Sequence, residues 1–266
     1  MVEISICIPT FNSSKHIIEC INSVLNQSYS DFEIIISDNN STDNTIDLIK
    51  SINSKKITLY QNKSNIGMAE NFIKVCELAN GKFIKLLASD DVLEPKALEK
   101  SINTFKDNPN LSLVVTSKKL INNNSKTIIK NFSSLKDGRY GSKFILKKII
   151  KSGRNPIGEP SFSIFKKIDY FNVGGFDKKQ SLFLDLDLWF RLLKIGDLYF
   201  LNTPLGGFRI QPESNSVRNS GFKSYISWLK MIEESGVNKF IKIYVKFKIY
   251  FFIILKNIFY KVFLKN

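Results

Sequence analysis

The sequence predicts an α/β fold, a mixed and mostly parallel sheet flanked by helices, and three observations point to it. Short β-branched runs alternate with segments of helical periodicity over the first 116 residues. That alternation implies right-handed crossovers in one sheet. The strands end in polar loops, Pro9-Thr10-Phe11-Asn12, Asp38-Asn39-Asn40 and Ser89-Asp90-Asp91. Ligands bind at the carboxyl ends of such strands. Finally, 43% apolar and 24% charged residues over 266 positions suit a folded chain with a sizeable core.

Taken in order, Ile4, Ile6 and Ile8 form a first strand stopping at Pro9. Ile17, Ile21, Val24 and Leu25 mark the apolar side of a helix. Phe32 to Ile36 is a second strand, and Ser41 or Thr42 can cap the helix carrying Ile46 and Ile49, with Asp43 in its first turn. Ile57 to Tyr60 is a short third strand. Met68, Phe72, Val75, Cys76 and Ala79 recur at helical spacing, with Gly81 closing that helix. The apolar run Phe83 to Ala88 is a buried strand that leads into Ser89-Asp90-Asp91. Pro95 suits the first turn of the next helix, whose inward residues are Leu98, Ile102 and Phe105, and Leu111 to Thr116 is a further strand. The second half is less regular. Residues 122–134 read as a loop or weak hairpin, Gly158-Glu159-Pro160-Ser161 as a turn, Phe162 to Phe165 as a strand, and Leu188, Leu192 and Ile195 as a helix ended by Gly196.

A formal charge of +15 narrows the partners to nucleic acid, an anionic membrane surface or a phosphorylated substrate. Seven lysines and no acid fall between Val237 and Asn266, interleaved with Phe, Tyr, Ile and Val. That basic amphipathic segment suits a membrane interface, with packing on protein as the alternative. Its alternation fits a strand as readily as a helix, and its longest uncharged run, Ile249 to Leu255, is too short to span a bilayer. Cys7, Cys20 and Cys76 form no metal or disulfide pattern and read as buried thiols in a reducing compartment. No signal peptide is expected at the start. The lone His16 reads as a surface helix residue and argues against a His-based metal site.

Two adjacent carboxylates at a strand end, Asp90 and Asp91, repel unless a cation such as Mg²⁺ or Mn²⁺, which takes oxygen ligands, sits among them; taken alone, the pair reads as a turn with two solvated aspartates. With the remaining motifs, the chain resembles a family 2 glycosyltransferase of the GT-A (Rossmann-like) fold, from about Ile4 to about Ser216. The motifs are Ser5 to Asn12, Ile36 to Asp43, Asn65-Ile66-Gly67 with Asn71, Ala88 to Asp91 with Glu94-Pro95, Gly174 to Asp177, and Asp185 to Arg191. Residues 1–220 are then the transferase domain and 221–266 the basic extension.

The resemblance implies a nucleotide-diphosphate sugar donor, UDP first, and a glycan or lipid-linked acceptor in surface polysaccharide synthesis. Pro9, Thr10, Asn12, Asn65 and Asn71 line the nucleotide slot. Asp38 is similar to the family aspartate that accepts from the nucleobase, with an Asx-turn as the structural alternative. Asp91 is the metal ligand, while Ser89 and Asp90 face ribose or sugar. Asp185 takes the acceptor proton, with Asp187 as its rival, and the product is inverted. Glu159 and Trp189 face the acceptor, each with a structural alternative in turn or core, and Arg191 pairs with one of the acids. The chain departs from the family pattern at Ser89, where many members have Asp, at Leu184, often Glu, and at Gln211, often His, so diphosphate contact shifts to Arg209 and nearby serines.

The competing readings are weaker. A nucleotidyltransferase opens with a Gly-rich loop that Pro9-Thr10-Phe11-Asn12 lacks. A nucleic-acid binder has no module here. An inactive binding subunit sits poorly with Asp38, Asp90, Asp91 and Asp185. The expected location is the cytoplasm, peripheral on the inner face of the membrane, and a homo-oligomer is compatible with the sequence.

Overall fold

The computed structural model describes residues 2–211, except 134, 142, 146, 149–154 and 181–183, and beyond these only 243, 247, 251 and 254. Among the described residues, ten strands form one mixed sheet. The strands are β1 (Ile4–Thr10), β2 (Phe32–Asp38), β3 (Ile57–Gln61), β4 (Phe83–Leu86), β5 (Val92–Leu93), β6 (Leu111–Ile121), β7 (Thr127–Phe132), β8 (Gly138–Tyr140), β9 (Ser163–Lys166) and β10 (Asp197–Arg209). The helices are α1 (Ile17–Leu25), α2 (Thr45–Ser51), α3 (Met68–Glu77), α4 (Ala97–Asp107), α5 (Lys167–Asn172) and α6 (Leu184–Leu192).

The order along the sheet is β3-β2-β1-β4-β9-β6-β10-β5, with β7 on β6 and β8 on β10. The β3-β2-β1-β4 half is parallel throughout. β9 runs antiparallel to both β4 and β6, joining this half to the parallel β6–β10 pair. Successive strands step outward from β1 to β3 and then return to β4 on its other side. The crevice between the ends of β1 and β4 is therefore the topological switch point, where a ligand is expected.

Side-chain alternation along β1 feeds two cores. Ile4, Ile6 and Ile8 pack with α1 and α4 residues such as Ile21 and Ile102, whereas Cys7 faces Val75 and Cys76 of α3. The second core also takes Phe165, Tyr170, Trp189 and Phe200. All three cysteines are buried free thiols.

Several local expectations need correction. Asn44, rather than Ser41 or Thr42, is the N-cap of α2, and Asp43 lies before the helix. Pro95 precedes the N-cap Lys96 of α4. Gly81 does not close α3, which ends at Leu78. It lies under β1, where an added Cβ would stand 2.6 Å from the Ser5 amide nitrogen, so only glycine fits. β6 continues to Ile121 and turns into the β6–β7 hairpin. The 13-residue β10 was not visible as a strand in the sequence, because Pro204, Gly206 and Gly207 break its pattern, and its register against β6 shifts there.

No described helix is long and apolar enough to cross a membrane. In the C-terminal segment Ile243, Phe247, Phe251 and Ile254 are helical and exposed, by 55%, 78%, 53% and 43%. At each of these four positions the backbone is helical, where the sequence leaves helix and strand open. The rest of the 221–266 extension, and residues 212–220 of the domain boundary, lie outside the described residues.

Candidate functional site

The loop after β1 and the loop after β2 are sewn together by side chains. Asn12, with φ 48°, accepts from the Thr42 amide at 2.8 Å and donates its own amide to the Ser41 hydroxyl. The Ser14 and Thr45 amides donate to Asp43, and Ser13 donates to Thr45 Oγ1. Partial burial raises the Asp43 carboxyl, and the hydrogen bonds from Thr45 and Ser14 outweigh it, leaving the group below its usual value. Asp43 is therefore a loop anchor. Phe11, which sequence reasoning did not single out, is 46% exposed at this mouth. The signal was an aromatic residue in a strand-end loop, where no apolar neighbour is available to cover it.

Several residues expected to line the nucleotide slot lie beneath it instead. Asp38 is fully buried, accepting from the Ser41 amide at 2.9 Å and the Ser41 hydroxyl at 2.5 Å. This is the Asx-turn arrangement, so its carboxylate faces the turn rather than solvent. Pro9 and Thr10 are buried strand residues. Asn71, also buried, bonds Ser37 through both ends of its amide and accepts from Asn62. It is a strut between α3 and β2. Asn65 is exposed and receives bonds from Asn39 and Gly67. Asn12 and Asn65 therefore keep exposed surface, whereas Pro9, Thr10, Asp38 and Asn71 shape the floor.

Across the switch point, Ser89 shares a 2.7 Å bond with Ser13, tying the carboxylate turn to the first loop. Asp91 is 1% exposed. Its Oδ1 accepts from the Arg209 amide at 3.0 Å, while its Oδ2 is buried with no hydrogen-bond partner among the described residues. Burial and then the Asp90 charge push its carboxyl up to about 7. An orphaned buried carboxylate oxygen is costly unless something completes it, and a hard divalent cation fits. Among the described residues no three acidic, His or Cys side chains converge, so protein ligands alone would not fill a cation's shell.

Asp90 accepts at Oδ2 from Gln211 Nε2 at 2.6 Å. The residue standing where many members have His thus orients a carboxylate of the turn. Arg209 requires a correction. Expected among the diphosphate contacts, it is buried, and its guanidinium donates to the Asp90, Asn122 and Asn123 carbonyls, Ser125 and Glu19. With its side chain fully enclosed it is a clamp holding the turn to α1 and the β6–β7 hairpin. His16 is likewise no surface residue. It is the buried N-cap position of α1, its Nε2 lacks a hydrogen-bond partner among the described residues, and burial followed by the Arg209 and Lys15 charges lowers its imidazole.

The other side of the site is assembled from β6, the 155–162 segment and α6. Asp185, at the start of α6, accepts from Asn155 Nδ2 at 3.2 Å. Its rival Asp187 is held by the Arg191 guanidinium at 2.5 Å, and Arg191 also donates to the Val173 carbonyl. Trp189 is fully buried against Phe165, and its Nε1 donates to the Gly158 carbonyl at 3.3 Å. It is core rather than acceptor wall, since no ring surface reaches solvent. Glu159 forms an ion pair with Lys118.

Lys118 was missed entirely, because a lysine in a β-strand ordinarily faces water. Here its side chain is 8% exposed. Burial lowers its ammonium to about 8, against the raising charges of Asp91 and Asp185. A second buried lysine, Lys85 of β4, donates to the Ser161 carbonyl at 2.8 Å and is lowered to about 7 by burial, opposed by Asp91. Both lysines thus feel Asp91, and Lys118 feels both Asp91 and Asp185.

Comparisons with known proteins bear on the family and the fold. Residues 5–170 match the family model described as glycosyl transferase family 2. A chondroitin synthase of Pasteurella multocida is 27% identical over 218 residues, covering 81% of this chain and 21% of that protein. The Escherichia coli UDP-Glc:alpha-D-GlcNAc-diphosphoundecaprenol beta-1,3-glucosyltransferase WfgD is 26% identical over 230 residues, covering 83% of this chain and 81% of that protein. The chain spans 61%, 21% and 22% of the lengths of three of the relatives it matches. S. aureus TarS in complex with UDP-GlcNAc superimposes with a TM-score of 0.70 at 18% identity, covering 90% of this chain and 69% of that one, which shows a shared fold. With a family match across more than half its length, this chain belongs to glycosyl transferase family 2.

Proposed function

We propose that the chain transfers a sugar from a nucleotide-diphosphate donor to a hydroxyl of a glycan or lipid-linked acceptor, with inversion, in surface polysaccharide synthesis. The observation that carries this reading is the buried, half-satisfied Asp91 at the switch point, whose charge acts on Lys118 together with that of Asp185. The activities named for relatives, a beta-1,3-glucosyltransferase and a chondroitin synthase, support it, as does the UDP-GlcNAc held by TarS.

In this reading the base and ribose rest on the exposed surface of Phe11, Asn12 and Asn65, with UDP the first expectation. Asp91 would hold Mn²⁺ or Mg²⁺ together with oxygens of the donor's diphosphate. When bound, the cation neutralises charge that builds on the leaving diphosphate. Asp90, aimed by Gln211, faces ribose or sugar. Asp185 accepts the proton of the attacking hydroxyl, since Asp187 is held by Arg191.

The basic C-terminal segment is proposed to rest on an anionic membrane surface, where a lipid-linked acceptor lies. Exposed apolar Ile243, Phe247, Phe251 and Ile254, in a segment with seven lysines and no acid, support that placement. Flotation with anionic vesicles tests it, and loss of binding on deleting 237–266 is the expected result.

A thermal shift with UDP, dTDP, GDP and CDP, each with and without Mn²⁺, tests the donor class. Saturation at about a hundred times Kd adds roughly 2.7 kcal/mol. A rise with one nucleotide that requires the cation supports the reading, and no rise with any of them overturns it.

A further inference from the structure

Lys118 belongs to no expected role, yet it occupies the middle of the site. Its ammonium pairs with Glu159 and lies 5.2–5.6 Å from the ring centres of Phe132, Phe162 and Phe208. A buried cation held by one half-exposed carboxylate and aromatic faces is stable only where that partner stays fixed. The neighbouring backbone is shaped around it. Gly158 has φ 94°, and a Cβ there would stand 3.2 Å from Lys118 Nζ.

That backbone leads to the candidate base. The amides of Ile157 and Gly158 donate to Asn155 Oδ1, and Asn155 Nδ2 donates to both the Gly158 carbonyl and Asp185. One path therefore runs from Lys118 through Glu159 and the 155–159 turn to the Asp185 carboxylate. We infer that Lys118 is a positioning residue for sugar transfer, which fixes the orientation of Asp185 by anchoring the 155–159 turn through Glu159. This rests on the proposed glycosyl transfer. It assigns Glu159 a share in orienting the base, where a direct acceptor contact was expected.

The test is a double-mutant cycle, with release of UDP from whichever of UDP-glucose and UDP-GlcNAc the wild type turns over, water serving as acceptor. Lys118→Met and Glu159→Gln are each expected to lower kcat at least tenfold with donor KM within twofold. The double variant is expected to be no slower than the slower single, because both act along one path. Amide exchange at Ile157 and Gly158 should quicken at least tenfold in Lys118→Met. Should that variant fail to fold, Glu159→Gln alone still decides, since Glu159 is half exposed. A kcat within twofold of wild type, multiplicative losses, unchanged exchange, or a loss confined to donor KM overturns the inference; the last would make Lys118 a donor contact. A wild type that releases no UDP from either donor and gains no thermal stability from any of the four nucleotides sinks the glycosyl-transfer reading and the inference together. An active wild type with an indifferent Lys118→Met sinks the inference alone.

Discussion

The proposed donor side and the proposed acceptor side of the site are built by different means. On the donor side, strand-end loops of a parallel sheet are stitched by short side chains, mostly neutral (Asn12 to Thr42, Ser13 to Ser89, Asn39 to Asn65), with the Asp38 and Asp43 carboxylates accepting from neutral donors. On the acceptor side, ion pairs do the holding: buried Lys118 with half-exposed Glu159, and the partly buried Arg191 with Asp187. Neutral hydrogen bonds contribute about 1 kcal/mol each and change little with conditions. A buried charge that loses its partner costs several times more. The donor side should therefore tolerate single losses, and the acceptor side should fail sharply.

The largest effect expected is at Asp185. Asp185→Asn keeps the Asn155 neighbourhood polar but removes the proton acceptor, so transfer should fall by about 10²-fold or more with UDP affinity unchanged. Steady-state rates beside calorimetric titration with UDP check both halves of that statement. Near-normal turnover would move the base elsewhere and break the division between the two sides.

Next is Asp91, where the donor side carries its own buried charge. With its carboxyl near 7, the proton and the cation compete. Below about pH 7 the proton must leave before a cation enters, so Mn²⁺-dependent UDP affinity should rise about tenfold per unit up to that value and flatten above it. Asp91→Asn should abolish both the cation dependence and its pH slope. A slope that survives the substitution would assign the titration to another group.

Arg209→Met tests a clamp rather than a contact. Removing the guanidinium leaves the Asp90, Asn122 and Asn123 carbonyls without their donor. Unfolding stability should drop by about 2–3 kcal/mol, discounted because the partner Glu19 is 43% exposed. Denaturant melts measure it. A stable variant with weakened UDP affinity would instead restore Arg209 to the diphosphate.

The same contrast explains what the sequence disclosed. The β3-β2-β1-β4 half was legible because local period and strand-end polarity determine it, and the Asp90-Asp91 turn lay where the alternation said it would. The acceptor side was legible only in part. Asp185 was found through a motif, but Lys118 and Glu159 stand 41 residues apart, and nothing local marks a strand lysine as buried. β10 escaped for a related reason, since Pro204, Gly206 and Gly207 oppose strand propensity and only pairing with β6 and β5 overrides it. Arg209 and Asp38 were read as ligand contacts because sequence reveals a side chain's chemistry and not which way it faces.

The smallest effect expected falls at the boundary between the acceptor side and the core. Trp189→Phe removes the Nε1 bond to the Gly158 carbonyl while leaving an aromatic ring against Phe165. Stability should fall by about 1–2 kcal/mol, from one hydrogen bond and a small loss of packing. Because Asn155 also donates to the Gly158 carbonyl, the turn keeps one anchor, and kcat should fall only a few-fold. UDP affinity should not move, since no described bond links Trp189 to the strand-end loops of β1, β2 or β4. If it does move, the β4–β9–β6 pairing transmits the change across the sheet, and the two sides act as one unit rather than two.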